Sequence, residues 1–154
     1  MKAMGQCFGL SVAMMLLFVS SPAKADERAD KELAKLKGTW VCVATLRDGA
    51  EVKSYVGVKA VIEGDSLTWY FPQKDGSYRE QRNKFRIGPT KEPKHFDWWR
   101  VDDKGESTGR VDPRLYSISG DEFRWATNLD FKTRPKTFDS ARWQFTTKRV
   151  KDGK

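Results

Sequence analysis

From residue 39 onward, apolar and polar positions alternate in short runs, and the runs are separated by "RDGA", "EGDS", "KDGS", "DDKGES" and "SGDE". Alternation with a period of two puts successive side chains on opposite faces of an extended chain, and clusters of Gly, Asp, Ser and Glu supply the turns between. The pattern predicts strands over 38–46, 53–63, 66–71, 78–87, 94–101, 114–119, 122–127 and 142–150. Turn signals recur about every ten residues with no helical spacing between them, which predicts an all-β, antiparallel, up-and-down sheet. Eight such strands can close into a barrel. Ahead of them, "DERADKELAKLKG" carries Ala29, Leu33 and Leu36 on one stripe of a short helix, with Asp26 as its N-cap and Gly38 as the residue just past its end.

Counting by twos along each strand assigns the inner face. It holds Trp40, Cys42, Ala44 and Leu46, then Val56, Val58, Ala60 and Ile62, then Leu67, Trp69 and Phe71. Later strands add Phe96 and Trp98, Tyr116 and Ile118, Phe123 and Trp125, and lastly Trp143 and Phe145. Gly38 lets the chain turn from helix to strand, and Trp40 then plugs the helix-covered end. Arg149 shares the parity of Trp143 and Phe145, so its guanidinium is placed to stack on Trp40.

Strand four, "YREQRNKFRI", breaks the apolar pattern. If Phe85 and Ile87 face inward, Arg79, Gln81 and Asn83 do so too, and buried polar groups demand hydrogen-bond partners, water or a ligand. Either this is a rim strand twisted away from the core, or one end of the lumen is polar. An eight-stranded barrel is just wide enough to be filled by its own side chains or to hold one small ligand. With this many aromatic residues directed inward, the expectation is a shallow, polar-mouthed pocket rather than a large greasy one. Its candidate lining is Arg79, Gln81, Asn83, Tyr116 and Trp125.

Composition bounds the function. The first 25 of the 154 residues read as an export signal: Lys2 is followed by an apolar run, 8–19, and by a small-x-small cleavage site, Ala23-Lys24-Ala25. Cleavage after Ala25 leaves 129 residues, one domain, secreted or periplasmic, with no transmembrane segment and expected as a monomer. Only Cys42 remains, so no internal disulfide can form. Removing Lys2 and Lys24 takes the net charge from +8 to +6, and all of that excess lies in residues 132–154, which hold 8 basic and 2 acidic residues. Export argues against nucleic acid as the partner; an acidic glycan or an anionic lipid surface suits a basic segment that presents Lys132, Arg134, Lys136, Arg142 and Lys148.

Catalysis finds little support. The lone histidine, His95, makes no metal site with Asp97 two residues on, and Cys42 belongs to the core face. The carboxylate pairs in "VDDKGE" and "SGDE" accompany glycine in turns. There is no Gly-x-Ser-x-Gly, paired-cysteine or phosphate-cradling glycine motif. No catalytic residue, metal or cofactor is expected.

A short helix, Gly38-x-Trp40 opening strand one, an eight-strand meander and a basic residue closing the last strand together resemble the lipocalin superfamily. Further along, "LKGTW", "EPKHFDW", "RLYSISGDEFRW", "RPKTFDS" and "TTKRV" resemble an uncharacterised bacterial secreted family with a lipocalin-like domain, of planctomycete type. Such domains often carry a glycine before the segment that holds Gly120 and Asp121 and a cysteine after it; here Arg114 and Ala126 lie nearby. The resemblance implies a lipocalin-like barrel and an export route, and no established activity. Together these readings describe a non-catalytic binding protein for a small amphipathic or anionic ligand, with an envelope-associated interaction domain acting through the basic segment as the alternative.

Overall fold

The computed structural model of the protein describes residues 22–151. Helix α1 (Pro22–Leu36) leads into β1 (Gly38–Arg47), followed by β2 (Ala50–Glu51), a single 3-10 turn (Lys53–Tyr55), β3 (Lys59–Glu63), β4 (Ser66–Pro72), β5 (Tyr78–Gly88), β6 (His95–Arg100), β7 (Asp112–Ser119), β8 (Glu122–Thr127) and β9 (Trp143–Arg149). From β3 onward each strand pairs antiparallel with the next, β3 also pairs with β1, and β9 returns to β1. The result is a closed ring of eight strands with β2 as a flap on the end of β1. This is the up-and-down barrel that the alternation predicts. The export signal read in residues 1–25 lies, except for its last four residues, outside the described residues.

Inside the ring, apolar side chains from every strand interdigitate. Trp40, Cys42, Ala60, Ile62, Leu67, Phe85, Phe96, Tyr116 and Phe123 are all at most 2 % exposed. Each large apolar side chain buried in this way contributes about 1.5–3 kcal/mol against the entropy of ordering the chain. Packing therefore holds a domain that has no disulfide among its described residues.

Three local expectations are corrected. Asp26 lies inside α1 rather than at its cap, because the helix begins at Pro22, and proline's fixed φ and missing N–H suit a first turn. In β1 a bulge between Cys42 and Ala44 leaves Val43 without a cross-strand partner. One extra residue reverses the parity beyond it, so Thr45, not Ala44, takes the inner position and is buried opposite Phe145. Third, residues 53–63 are not one strand. The 3-10 turn takes their first three residues, Val56 is exposed, and the strand begins only at Lys59, just after buried Val58.

The helix-covered end is firmly closed. Trp40 donates its indole N–H to Leu36 O (2.8 Å), and the Arg149 guanidinium lies 4.2 Å from the Trp40 ring while bonding the carbonyls of Lys35 and Lys37. One carbonyl belongs to the last turn of α1 and the other to the residue just past it, where acceptors lack helical partners, so one arginine satisfies two of them. Gly38 makes the approach possible. Its φ is +128°, and a Cβ there would stand 2.8 Å from an Arg149 nitrogen. Buried Glu32 on α1 accepts hydrogen bonds from Tyr116 Oη (3.2 Å) and Lys94 Nζ (3.0 Å), tying the helix to the barrel wall.

Candidate functional site

The opposite end is built differently. β7 enters from that end, and its inner face reads Asp112, Arg114 and Tyr116, with two charges preceding the aromatic. Register sets Asp112 opposite Trp98 and Arg114 opposite Phe96 on β6. Both charged residues are buried, Arg114 at 3 % exposure and Asp112 at 6 %. Their burial is tolerated because they are paired.

Asp112 Oδ2 accepts hydrogen bonds from Arg114 Nε (3.0 Å), Arg114 Nη2 and Trp98 Nε1 (2.9 Å), while its Oδ1 accepts one from Thr127 Oγ1 (3.0 Å). The guanidinium lies over two neighbouring indoles at once, 3.6 Å from the Trp98 ring and 4.3 Å from the Trp125 ring. Flat cation against aromatic faces is the favourable geometry for both. Burial pulls the Arg114 pKa down to about 10, Asp112 opposing the shift, so the group stays charged at neutral pH.

Arg114 lines a cavity of about 200 Å³ at this end of the barrel. Its walls are aromatic: Trp69, Trp98, Trp125, Trp143, Phe71 and Phe145 all border it. Trp125, Phe145 and Trp143 form a stacked run with interplanar angles of 12°. Tyr55, just past the flap, meets Trp143 and Phe145 edge-on and borders the same space, as does Phe131 from the β8–β9 loop. At the rim, Arg47 lies over Trp143 and Arg79 over Phe71.

Two donors on residues of this lining, packed just behind its surface, are unanswered. Arg114 Nη1 and Trp69 Nε1 are buried, and neither has a hydrogen-bond partner among the described residues. Buried donors almost always have partners, because an unmade bond costs about 1–3 kcal/mol. Both unmatched atoms belong to residues of one cavity wall and both are donors, so what would satisfy them is an acceptor.

The candidate lining residues separate in space. Gln81 and Trp125 border the cavity. Gln81 Oε1 accepts from Arg100, and its Nε2 donates to Asn83 Oδ1 (3.4 Å). Asn83 is buried one inward step along β5, where its amide nitrogen donates to Leu67 O and Gln81 O, so its donors are spent on backbone. Arg79 is an exposed rim residue. Tyr116 is at the helix-covered end, bonded to Glu32; burial and then the Glu32 charge push its phenol pKa up. Gly38, Trp40 and Arg149 make the closed end described above.

The basic segment does not present one bare face. Arg134 bonds the Arg114 carbonyl and Asp97, Arg142 pairs with Asp48, and Lys148 pairs with Glu122. Lys132 and Lys136 are exposed with no ion-pair partner among the described residues. His95 is half-buried on β6, its pKa held down by burial and by Arg134. Cys42 faces the cavity with its thiol 3.4 Å from Thr45 Oγ1, and burial raises its pKa, which makes it a poor nucleophile.

Asp112, Arg114 and the Trp69 donor are what sequence reasoning missed. The signal was present: stepping back by twos from inward Tyr116 reaches Arg114 and then Asp112 through "DPRLY". Compared with protein-family models, with curated proteins and with solved structures, the chain finds no match.

Proposed function

We propose that the protein is a lipocalin-like binding protein, exported and cleaved after Ala25, that acts without catalysis and as a monomer. Its ligand is small and amphipathic and occupies the aromatic cavity at the open end of the barrel. The observation that carries this reading is the pair of unmatched buried donors, Arg114 Nη1 and Trp69 Nε1, on two residues that line one cavity. A flat apolar body suits the stacked indoles, and an acceptor suits the two donors. Size supports the same class: a cavity of about 150 Å³ takes up benzene, so about 200 Å³ corresponds to one substituted ring or a short branched chain. An anionic substituent on such a ligand has Arg47 and Arg79 at the rim to meet it.

The alternative is a domain that grips an acidic surface through residues 132–154; of the five cations first assigned to it, only Lys132 and Lys136 have no ion-pair partner among the described residues, since Arg134, Arg142 and Lys148 are engaged within the domain. Salt separates the two readings. The Debye length falls from about 10 Å at 0.1 M to 3 Å at 1 M, so surface binding collapses and cavity binding persists. The test is an NMR titration of the 15N-labelled mature protein with a panel of single-ring compounds in 1 M salt. The reading predicts shifts in the indole N–H signals of Trp69, Trp98 and Trp125. If none of them moves with any compound while anionic vesicles bind at low salt, the cavity is not the site.

A further inference from the structure

We infer, resting on the cavity reading above, that the group the ligand sends to the base of the cavity is an uncharged carbonyl-type acceptor and not a carboxylate or phosphate. A lone buried arginine would call for an anion, but this one already has its counter-charge. Asp112 accepts two of the Arg114 hydrogen bonds, so the pair sums to zero. Asp112 also cannot easily turn aside to free the guanidinium, because Trp98 Nε1 and Thr127 Oγ1 hold the same carboxylate. A second carboxylate at Arg114 Nη1 would leave a net negative charge in a space walled by Trp69, Trp98 and Trp125. The faces of aromatic rings are the negative side of their quadrupole, so the walls oppose an anion as well.

A neutral carbonyl meets none of these penalties. Its oxygen has two lone pairs, and the unmatched donors are two, one cationic and one indole. Trp69 and Arg114 share their neighbours: the Trp69 ring lies 6.5 Å from that of Trp98 and 6.1 Å from that of Trp125, the two indoles over which the guanidinium lies. A ring that carries a carbonyl brings among these indoles the class of acceptor that both donors lack. The ligand class is a small planar ketone, ester, amide, lactone or quinone, entering carbonyl first, with any charged substituent left outside near Arg47 and Arg79.

The test compares three probes of one ring and nearly one size at pH 7: acetophenone as the neutral acceptor, benzoate as the anion and ethylbenzene as the body without an acceptor. Binding to the 15N-labelled mature protein is followed by NMR, with the Trp69 indole signal identified by its loss in Trp69→Phe. Acetophenone is expected to bind at least about ten-fold more tightly than either of the others, a margin of about 1.4 kcal/mol, and to shift the Trp69 signal. Trp69→Phe, which removes a donor and no charge, should weaken acetophenone several-fold more than it weakens ethylbenzene, whose change reports the altered wall alone. Benzoate binding as tightly as acetophenone or more so overturns the uncharged acceptor while leaving the cavity reading in place. So does a Trp69→Phe variant that weakens acetophenone and ethylbenzene equally. If none of the three disturbs a cavity resonance, the cavity reading fails and this inference fails with it.

Discussion

Replacing Asp112 by Asn changes one atom and one charge, and it should unsettle the domain more than most core truncations. The carboxylate that Asn replaces stands against a guanidinium that is 3 % exposed. Opposite charges about 4 Å apart attract by about 4 kcal/mol at an effective dielectric of about 20, and losing one partner of a buried pair costs about 3–5 kcal/mol. The Asn amide also offers one acceptor where four hydrogen bonds now converge. Urea melts at pH 7 are therefore expected to show a loss of about 3–5 kcal/mol. Adding Arg114→Met to Asp112→Asn removes the stranded charge and leaves a flexible apolar chain against Trp98 and Trp125. The double variant should recover most of the loss and stand within about 2 kcal/mol of the parent, since buried pairs replaced as a unit are often neutral. A single-variant loss below about 1 kcal/mol, or a double variant no more stable than the single, would refute the view that Arg114 is held charged by Asp112. Rescue would also show that the pair is not required for folding, which leaves recognition as its use.

Three further outcomes concern the closed end. Trp40→Ala should destabilise the domain by about 3–5 kcal/mol through lost burial and a cavity, and a loss under about 1 kcal/mol in denaturant would make the indole peripheral. Gly38→Ala forces a side chain onto a φ of +128° and against Arg149; a cost of about 1–3 kcal/mol is expected, and an unchanged melt would show that the joint readily adapts. Burial pushes the Glu32 carboxyl up, but hydrogen bonds and charge from Lys35 and Lys94 outweigh it and hold the group below its ordinary 4.5. A depressed native pKa contributes stability that is complete above that ordinary value and disappears as pH falls through the native one. Glu32→Gln should accordingly be less stable than the parent at pH 7 and lose less between pH 5 and 3; parallel pH profiles would exclude this role.

Strand periodicity was legible because an up-and-down barrel exposes one face of most strands, so burial repeats every second residue in β3, β4, the later part of β5 and β9, whereas in β7 and β8 Leu115 and Ala126 are buried on the outer face as well. The count fails where something other than the pleat intervenes. Val43 is ordinary strand sequence, and nothing in "VCVAT" announces a bulge, whose position is set by how β1 must bend to meet β9. Val56 looks like a core residue but follows a 3-10 turn. The cavity was legible only in its apolar part. Trp125 and Gln81 could be placed inside by counting, whereas Tyr116, equally inward, belongs to the other end, and depth along a barrel is not contained in parity. Asp112 and Arg114 were hidden because charge argues for solvent in any single strand, and only their reciprocal pairing across two residues makes burial affordable.

The contact between β1 and β9 joins the first strand of the ring to the last, with seven residue pairs from Trp40↔Arg149 to Arg47↔Trp143. It is also the strand pairing of longest sequence separation, so its loop-closure entropy is the largest of any pair of strands in the ring. Before it forms, β1 and β9 each present an open row of backbone donors and acceptors, as β1 and β8 do in a chain that lacks β9, and such edges are the surface on which extended chains stack into aggregates. A chain stopped short of residue 143 has no way to become a smaller barrel: it keeps both raw edges, and Trp40 loses the arginine that covers it. The last seven-residue strand thus acts as the clasp of the whole molecule, and the ring is either shut or not a ring.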